Sequence, residues 1–244
     1  MPTFIKKYEH MNSHKLEHKF IEEIENFTFS QERLEQTLQM IPDTGRLLEI
    51  GICFRETIDF YREKFHGDCY GVDISRKIIK NRSIDFTEAK VCDVSTEDIP
   101  WENNFFDVIV CNEVIEHVYN TDNMLAEIHR VLAETGILII STPNLASFIN
   151  RIFLLFGLQP LCTEVSTQST HYGNFLRQKL VPAGHIRNFT YKALADLLEE
   201  SGFIITTQCC TSISSKKLVS CLENLAGKIH VSLGSNIILG CMKK

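Results

Sequence analysis

From residue 46 onward the chain alternates short apolar runs with stretches whose apolar residues recur at helical spacing, the pattern of a parallel sheet with helices on both faces. Apolar runs at 46–50, 68–72, 88–92, 107–111 and 136–141 predict five strands, and helices are expected near 55–65, 75–81 and 121–132. In the last of these Leu125, Ile128 and Leu132 share one face. The rhythm breaks between 144 and 184. It resumes at 189–202, where Thr190 caps a helix with Leu194, Leu197 and Leu198 facing inward and Gly202 at its end. Runs at 203–209 and 236–242, with a helix around 216–228 between them, bring the strand count to seven.

Ahead of the sheet, Leu16, Phe20, Ile24 and Phe27 predict one helix, and Leu34, Leu38 and Ile41 a second that Pro42 stops. Residues 1–43 are therefore expected to form helices that cap the substrate region of a main domain spanning 44–244. The irregular stretch, around 145–184, is expected to be a cap or lid inserted in that domain. Its segment FINRIFLLFGL (148–158) is strongly apolar and suits either a cap helix over a cleft or a helix resting on a membrane surface. Arg151 is its one basic residue, which leaves little to attract anionic lipid, so the cap is favoured and peripheral membrane contact is the alternative.

Composition narrows the class. A chain of 244 residues with 44% hydrophobic content can bury one sizeable α/β core. None of its nine cysteines forms a C-x-x-C pair, and Cys69, Cys92 and Cys111 lie within or at the end of apolar runs, as reduced core thiols do. A net charge of −6 offers no electrostatic footprint for nucleic acid. With neither a signal peptide nor an apolar run of membrane-spanning length in view, a cytoplasmic protein is expected. His10, His14 and His18 fall at a spacing that suits a metal, but no acid or thiol is tied to them, and a solvated helix face is the favoured account.

Candidate chemistry gathers at the strand ends. Leu47, Leu48 and Ile50 lead into Gly51, a turn with no Cβ to crowd a ligand above the strand. Asp73 closes the second strand at the distance past that glycine where an acid accepts hydrogen bonds from ribose hydroxyls; the alternative is a helix cap, because Asp73 and Ser75 both precede a helix. Asp93 follows the third strand, where a carboxylate can accept an adenine amine while Val94 offers a backbone N–H and an apolar edge. Asn112 and Glu113 follow the fourth. Together these ends suit an adenosine.

The strings LLEIGICFRET, YGVDIS, CDVSTEDIPWENNFFDVIVCNEVIEHV, VLAETGILIISTPN and HIRNFTYKALADLLEESGF, in that order, resemble the class I S-adenosylmethionine-dependent methyltransferases. The resemblance is nearest to the branch with the ubiquinone-biosynthesis O-methyltransferases and runs from about residue 46 to residue 203. It implies a Rossmann-like, mostly parallel seven-stranded sheet with an antiparallel last strand, and S-adenosyl-L-methionine as cofactor. It sets Glu49, Gly51 and Cys53 at the first motif beside the methionine part, and Asp73 with Ile74 at the ribose. Asp93 and Val94 would meet the adenine, and Asn112 would lie under the methionyl end. The motif E/D-x-G-x-G-x-G is altered here, with Cys53 and Arg55 in place of its second and third glycines. A left-handed Cys53 would cost about 1–2 kcal/mol and weaken the cofactor's hold.

In NEVIEHV, Glu113, Glu116 and His117 stand at i, i+3 and i+4, one side of a helical turn. His117 suits a general base for an acceptor hydroxyl. A sharper expectation is a divalent ion, magnesium, manganese or zinc, held by these three with His185 as fourth ligand, which resembles the metal centres of ubiquinone O-methyltransferases and small-RNA 2′-O-methyltransferases. The bland account is that Glu116 and His117 cap and pack the helix. The function expected is methyl transfer to a small-molecule or lipid-like acceptor, at oxygen. Two alternatives stand beside it: a nicotinamide-dependent oxidoreductase, whose G-x-G-x-x-G Cys53 spoils, and a non-catalytic relative serving as a partner-binding module.

Overall fold

A computed structural model of the chain describes residues 31–52, 55–173, 182–212 and 217–244. The helix expected over Leu16–Phe27, the His10, His14 and His18 trio, and Cys53 lie outside the described residues. Residues 32–244 form one compact unit.

Its centre is a seven-stranded sheet in the order β3-β2-β1-β4-β5-β7-β6. The strands are β1 (Arg46–Ile50), β2 (Asp68–Asp73), β3 (Glu88–Val91), β4 (Phe106–Asn112), β5 (Leu132–Pro143), β6 (Phe203–Thr211) and β7 (Asn236–Lys243). Strands β1 to β5 pair in parallel, and β7 runs antiparallel to both β5 and β6. The expected fold class is what is observed. All seven predicted strands form, most within a residue or two of their expected ends; β5 differs by starting at Leu132, which pairs with Phe106 ahead of a bulge before Val108 pairs with Ile137. The side chains of β1 after Arg46, and nearly all of β4 and β7, are buried on both faces. Such strands need cover on both sides, which is why they appear in the sequence as continuous apolar runs rather than alternating ones.

The described helices are α1 (Gln31–Met40), α2 (Arg55–Tyr61), α3 (Arg76–Arg82), α4 (Thr121–Val131), α5 (Phe148–Leu155), α6 (Tyr191–Glu200) and α7 (Lys217–Ile229). Side chains that end the preceding loop start four of them: Ser75, Asn120, Ser147 and Thr190 each accept a first-turn N–H. Helix α5 stops short of its expected end because Gly157 takes a left-handed φ of 67°. No described helix is long and apolar enough to cross a membrane. The chain leaves β1 toward β2 and β3 on one side and returns to β4 and β5 on the other, so the crevice opens at the carboxyl ends where β1 and β4 lie side by side.

Candidate active site

The crevice floor is built as the apolar run before Gly51 demands. Gly51 has φ 82°, donates its N–H to the Val72 carbonyl at 2.8 Å, and sits so close to Val114 that a Cβ would meet its Cγ2 at 2.7 Å. Only glycine satisfies both conditions. Two residues before it, Glu49 is 5% exposed, and burial with Asp73 nearby pushes its carboxyl up to about 8. Its Oε2 has no hydrogen-bond partner among the described residues.

Asp73, at the end of β2, is buried; one oxygen accepts the Ser75 N–H at 2.8 Å. Burial lifts its carboxyl to about 6, and the backbone N–H groups of Ser75 and Ile52 hold the rise in check. The Asp73 carboxylate thus braces the turn that leads from β2 into α3. Beside it Ile74 is half exposed at the rim, at 51%. Asp93 braces its own turn, with Oδ1 accepting the Ser95 N–H at 2.9 Å and Oδ2 the Thr96 hydroxyl at 3.1 Å, while Val94 is buried.

Asn112 ends β4 and donates through Nδ2 to the Thr37 hydroxyl at 3.2 Å and the Tyr61 hydroxyl at 3.1 Å. Its Oδ1 is buried without a partner among the described residues. Helix α1 thus closes over the end of β4, and Arg33 on the same helix lies 3.5 Å from Glu113. Arg33, Thr37 and Tyr61 escape sequence reasoning. Tyr61 hides in the apolar series Ile58, Tyr61, Phe65, all buried, and Arg33 and Thr37 are the only hints, two polar residues four apart beside Leu34 and Leu38.

The acidic segment after β4 departs from the helical turn expected. Glu113 takes a left-handed φ of 56°, and a short 3-10 turn covers Ile115–His117. The rotation sends Glu113 toward β5 and β7, where Oε1 accepts from the Ser141 hydroxyl at 2.9 Å and the Asn236 amide at 3.0 Å. Glu116, His117 and His185 do come together, their ligand atoms all within 4.8 Å of one another. Glu116 is 2% exposed; Oε2 accepts from the Thr142 hydroxyl at 3.0 Å, whereas Oε1 has no hydrogen-bond partner among the described residues. Burial, with Glu113 nearby, raises its carboxyl well above the usual range. His117 Nε2 lies 3.8 Å from that Oε1. Burial and the neighbouring His185 lower the His117 imidazole to about 4, so it is neutral near pH 7. The two rings stand 4.9 Å apart, beside a cleft lined by Pro143, Leu145, Leu161 and Cys162.

A doubly wound sheet in this order, with acids and an amide at the ends of β1, β2 and β4, makes this a Rossmann-like α/β domain. More specifically, the chain belongs to the methyltransferase-domain family, whose profile matches residues 19–208. It is 32% identical to an uncharacterised protein of Methanocaldococcus jannaschii over 132 residues, 53% of this chain and 59% of that one. It is 30% identical over 98 residues to a "probable S-adenosylmethionine-dependent methyltransferase" of Mycolicibacterium smegmatis, 34% of this chain and 37% of the relative. The chain thus spans less than two thirds of either. A crystal structure of an S-adenosylmethionine-dependent methyltransferase from Thermotoga maritima superposes with a TM-score of 0.61 at 17% identity, over 93% of this chain and 95% of the other, a likeness of fold.

The family implies S-adenosylmethionine, and the residues present fit it. Two buried acceptors, Glu49 Oε2 and Asn112 Oδ1, have no donor among the described residues, and the cofactor's ammonium carries three N–H bonds. Asp73 sets a carboxylate at the end of β2, of the kind that accepts from hydroxyls, and Ile74 offers an apolar edge.

Proposed function

We propose that this chain transfers the methyl group of S-adenosylmethionine to an oxygen of a small or lipid-like acceptor. The observation that carries this is the nearness along one segment of two centres: the orphaned acceptors around Asn112, and the cluster of Glu116, His117 and His185. Asp73 would take the ribose hydroxyls, Asp93 and Val94 the adenine, and Glu49, Gly51 and Asn112 the methionyl end. The cofactor brings a methyl already activated on a sulfonium. What remains for the chain is to hold the acceptor in line and away from water, which supplies roughly 7–11 kcal/mol. Exposed Leu154, Leu155 and Phe156, on the insert after β5, support a hydrophobic acceptor.

The acceptor hydroxyl must also lose its proton. An imidazole near 4 is a weak base, which argues for His117 as a ligand rather than an unaided base. Glu116, His117 and His185 would hold a divalent ion, which when bound makes a hydroxyl more acidic. Glu116 Oε1, which has no hydrogen-bond partner among the described residues, and the two imidazoles are donors of the right kind, while Glu113, occupied by Ser141 and Asn236, is left out of the set.

Calorimetry with S-adenosylmethionine and with NAD tests the cofactor, and transfer of labelled methyl to a panel of plain and prenylated phenols tests the chemistry. Heat with the first ligand only, and transfer that EDTA stops and a divalent ion restores, is the expected result. No heat with either ligand would make the chain a partner-binding module. Full transfer in EDTA, lost in His117→Ala, would return His117 to the role of base.

A further inference from the structure

His185 reaches Glu116 from a distant part of the chain, and what holds it there is the insert after β5. Asn150 on α5 is buried and binds the Leu161 backbone on both sides, accepting its N–H at 2.7 Å and donating to its carbonyl at 3.4 Å. Beyond it Cys162 takes a left-handed φ of 60°, uncommon for a residue with a side chain, and its carbonyl meets His185 Nδ1 at 2.9 Å. Two residues further, the Glu164 carboxylate accepts the N–H groups of Ala183 at 2.6 Å and Gly184 at 2.8 Å. The carbonyl of that same Gly184 meets His117 Nδ1 at 3.3 Å.

We propose that Glu164 is a positioning residue for the Glu116, His117 and His185 centre, clamping the turn at Ala183 and Gly184 so that both imidazoles carry their proton on Nδ1 and turn Nε2 toward Glu116. The proposal rests on reading those three residues as one centre. A carbonyl accepts only from a protonated nitrogen, so the Gly184 and Cys162 carbonyls select the Nδ1–H tautomer and leave Nε2 with its lone pair. A carboxylate gripping two successive N–H groups makes two charge-assisted bonds, enough to hold a short turn to one geometry. Glu164 touches neither ring. It acts through Gly184 on His117, and on His185 through the path of the turn that leads into it.

The rest of the segment does not depend on this clamp. Ile186 and Arg187 both donate backbone N–H to the Glu116 carbonyl at 3.0 Å, and the Arg187 guanidinium binds the carbonyls of Val118 and Tyr119. Removal of Glu164 should therefore leave the fold in place and loosen only the turn.

The test uses the full chain with histidine labelled in 15N, at pH 8, where neutral imidazoles report their tautomers by long-range nitrogen–proton correlation. His117→Asn and His185→Asn variants assign the two rings, and urea melts check folding. Wild-type protein should show both rings as Nδ1–H. Glu164→Ala should mix in the Nε2–H form, and Glu164→Gln, which keeps one acceptor oxygen, should fall between. Calorimetric titration with zinc alone should show affinity weakened about 10- to 100-fold in Glu164→Ala, the scale for loss of an outer partner of a ligand. Unchanged tautomers in both folded variants overturn the proposal, whatever the zinc titration gives. Altered tautomers in a protein that binds no zinc even as wild type would uphold the clamp and reject the metal reading above.

Discussion

Replacing Glu49 by glutamine separates the charge of a buried carboxyl from its shape. In the folded chain burial and nearby Asp73 raise Glu49 from 4.5 to about 8. Unfolded, the same group titrates in the ordinary carboxylate range. The folded pKa is the higher of the two, so between them the folded state binds more protons, and stability falls as pH rises through that window. Integrated from pH 5 to pH 8, this one group removes about 3 kcal/mol. Glutamine has nearly the same volume and does not titrate. The stability of Glu49→Gln relative to wild type should therefore grow by about 3 kcal/mol over that range, in favour of the variant. Urea denaturation of both proteins at four pH values, without cofactor, measures it, because titrations of groups remote from Glu49 cancel in the difference. A difference flat to about 0.5 kcal/mol would mean that Glu49 ionises as freely as in water. The account of a buried acceptor awaiting a cationic ligand would then fail.

The same group should report cofactor binding. At pH 7 a carboxyl near 8 is mostly protonated, so an ammonium seated on Glu49 should release a large fraction of a proton per site, read by calorimetry in buffers of different ionisation enthalpy and absent in Glu49→Gln. Asp73→Asn should weaken S-adenosylmethionine about 10- to 100-fold, the worth of a charged acceptor, and an unchanged affinity would put the ribose elsewhere. Gly51→Ala should cost about 2 kcal/mol, from left-handed strain together with the contact at Val114. Adding Val114→Ala should recover part of that loss in urea melts; full stability in the single variant would contradict the close approach.

Much of this was legible along the chain because it is local. A strand buried on both faces must be an apolar run, and a tight turn at its end that leaves no room for a Cβ must be a glycine, so β1 and Gly51 follow from neighbours a few residues away. The same holds for the four helix caps, each a short polar side chain ahead of a periodic stretch.

What escaped was decided across the fold. Glu113 shares its spacing with Glu116 and His117, yet a left-handed backbone turns it toward Ser141 and Asn236, partners supplied by β5 and β7 once the sheet has formed. Tyr61 belongs by pattern to the core, and only the closing of α1 over β4 makes its hydroxyl a partner of Asn112. Glu164 lies in a stretch with no period, and its role exists because the insert returns to meet Ala183 and Gly184. Periodicity records which face of an element is buried, since burial acts on every turn of a helix and every second residue of a strand. It carries no record of which polar groups from distant segments meet in that interior, because each such pairing is a single event that leaves no repeat in the chain.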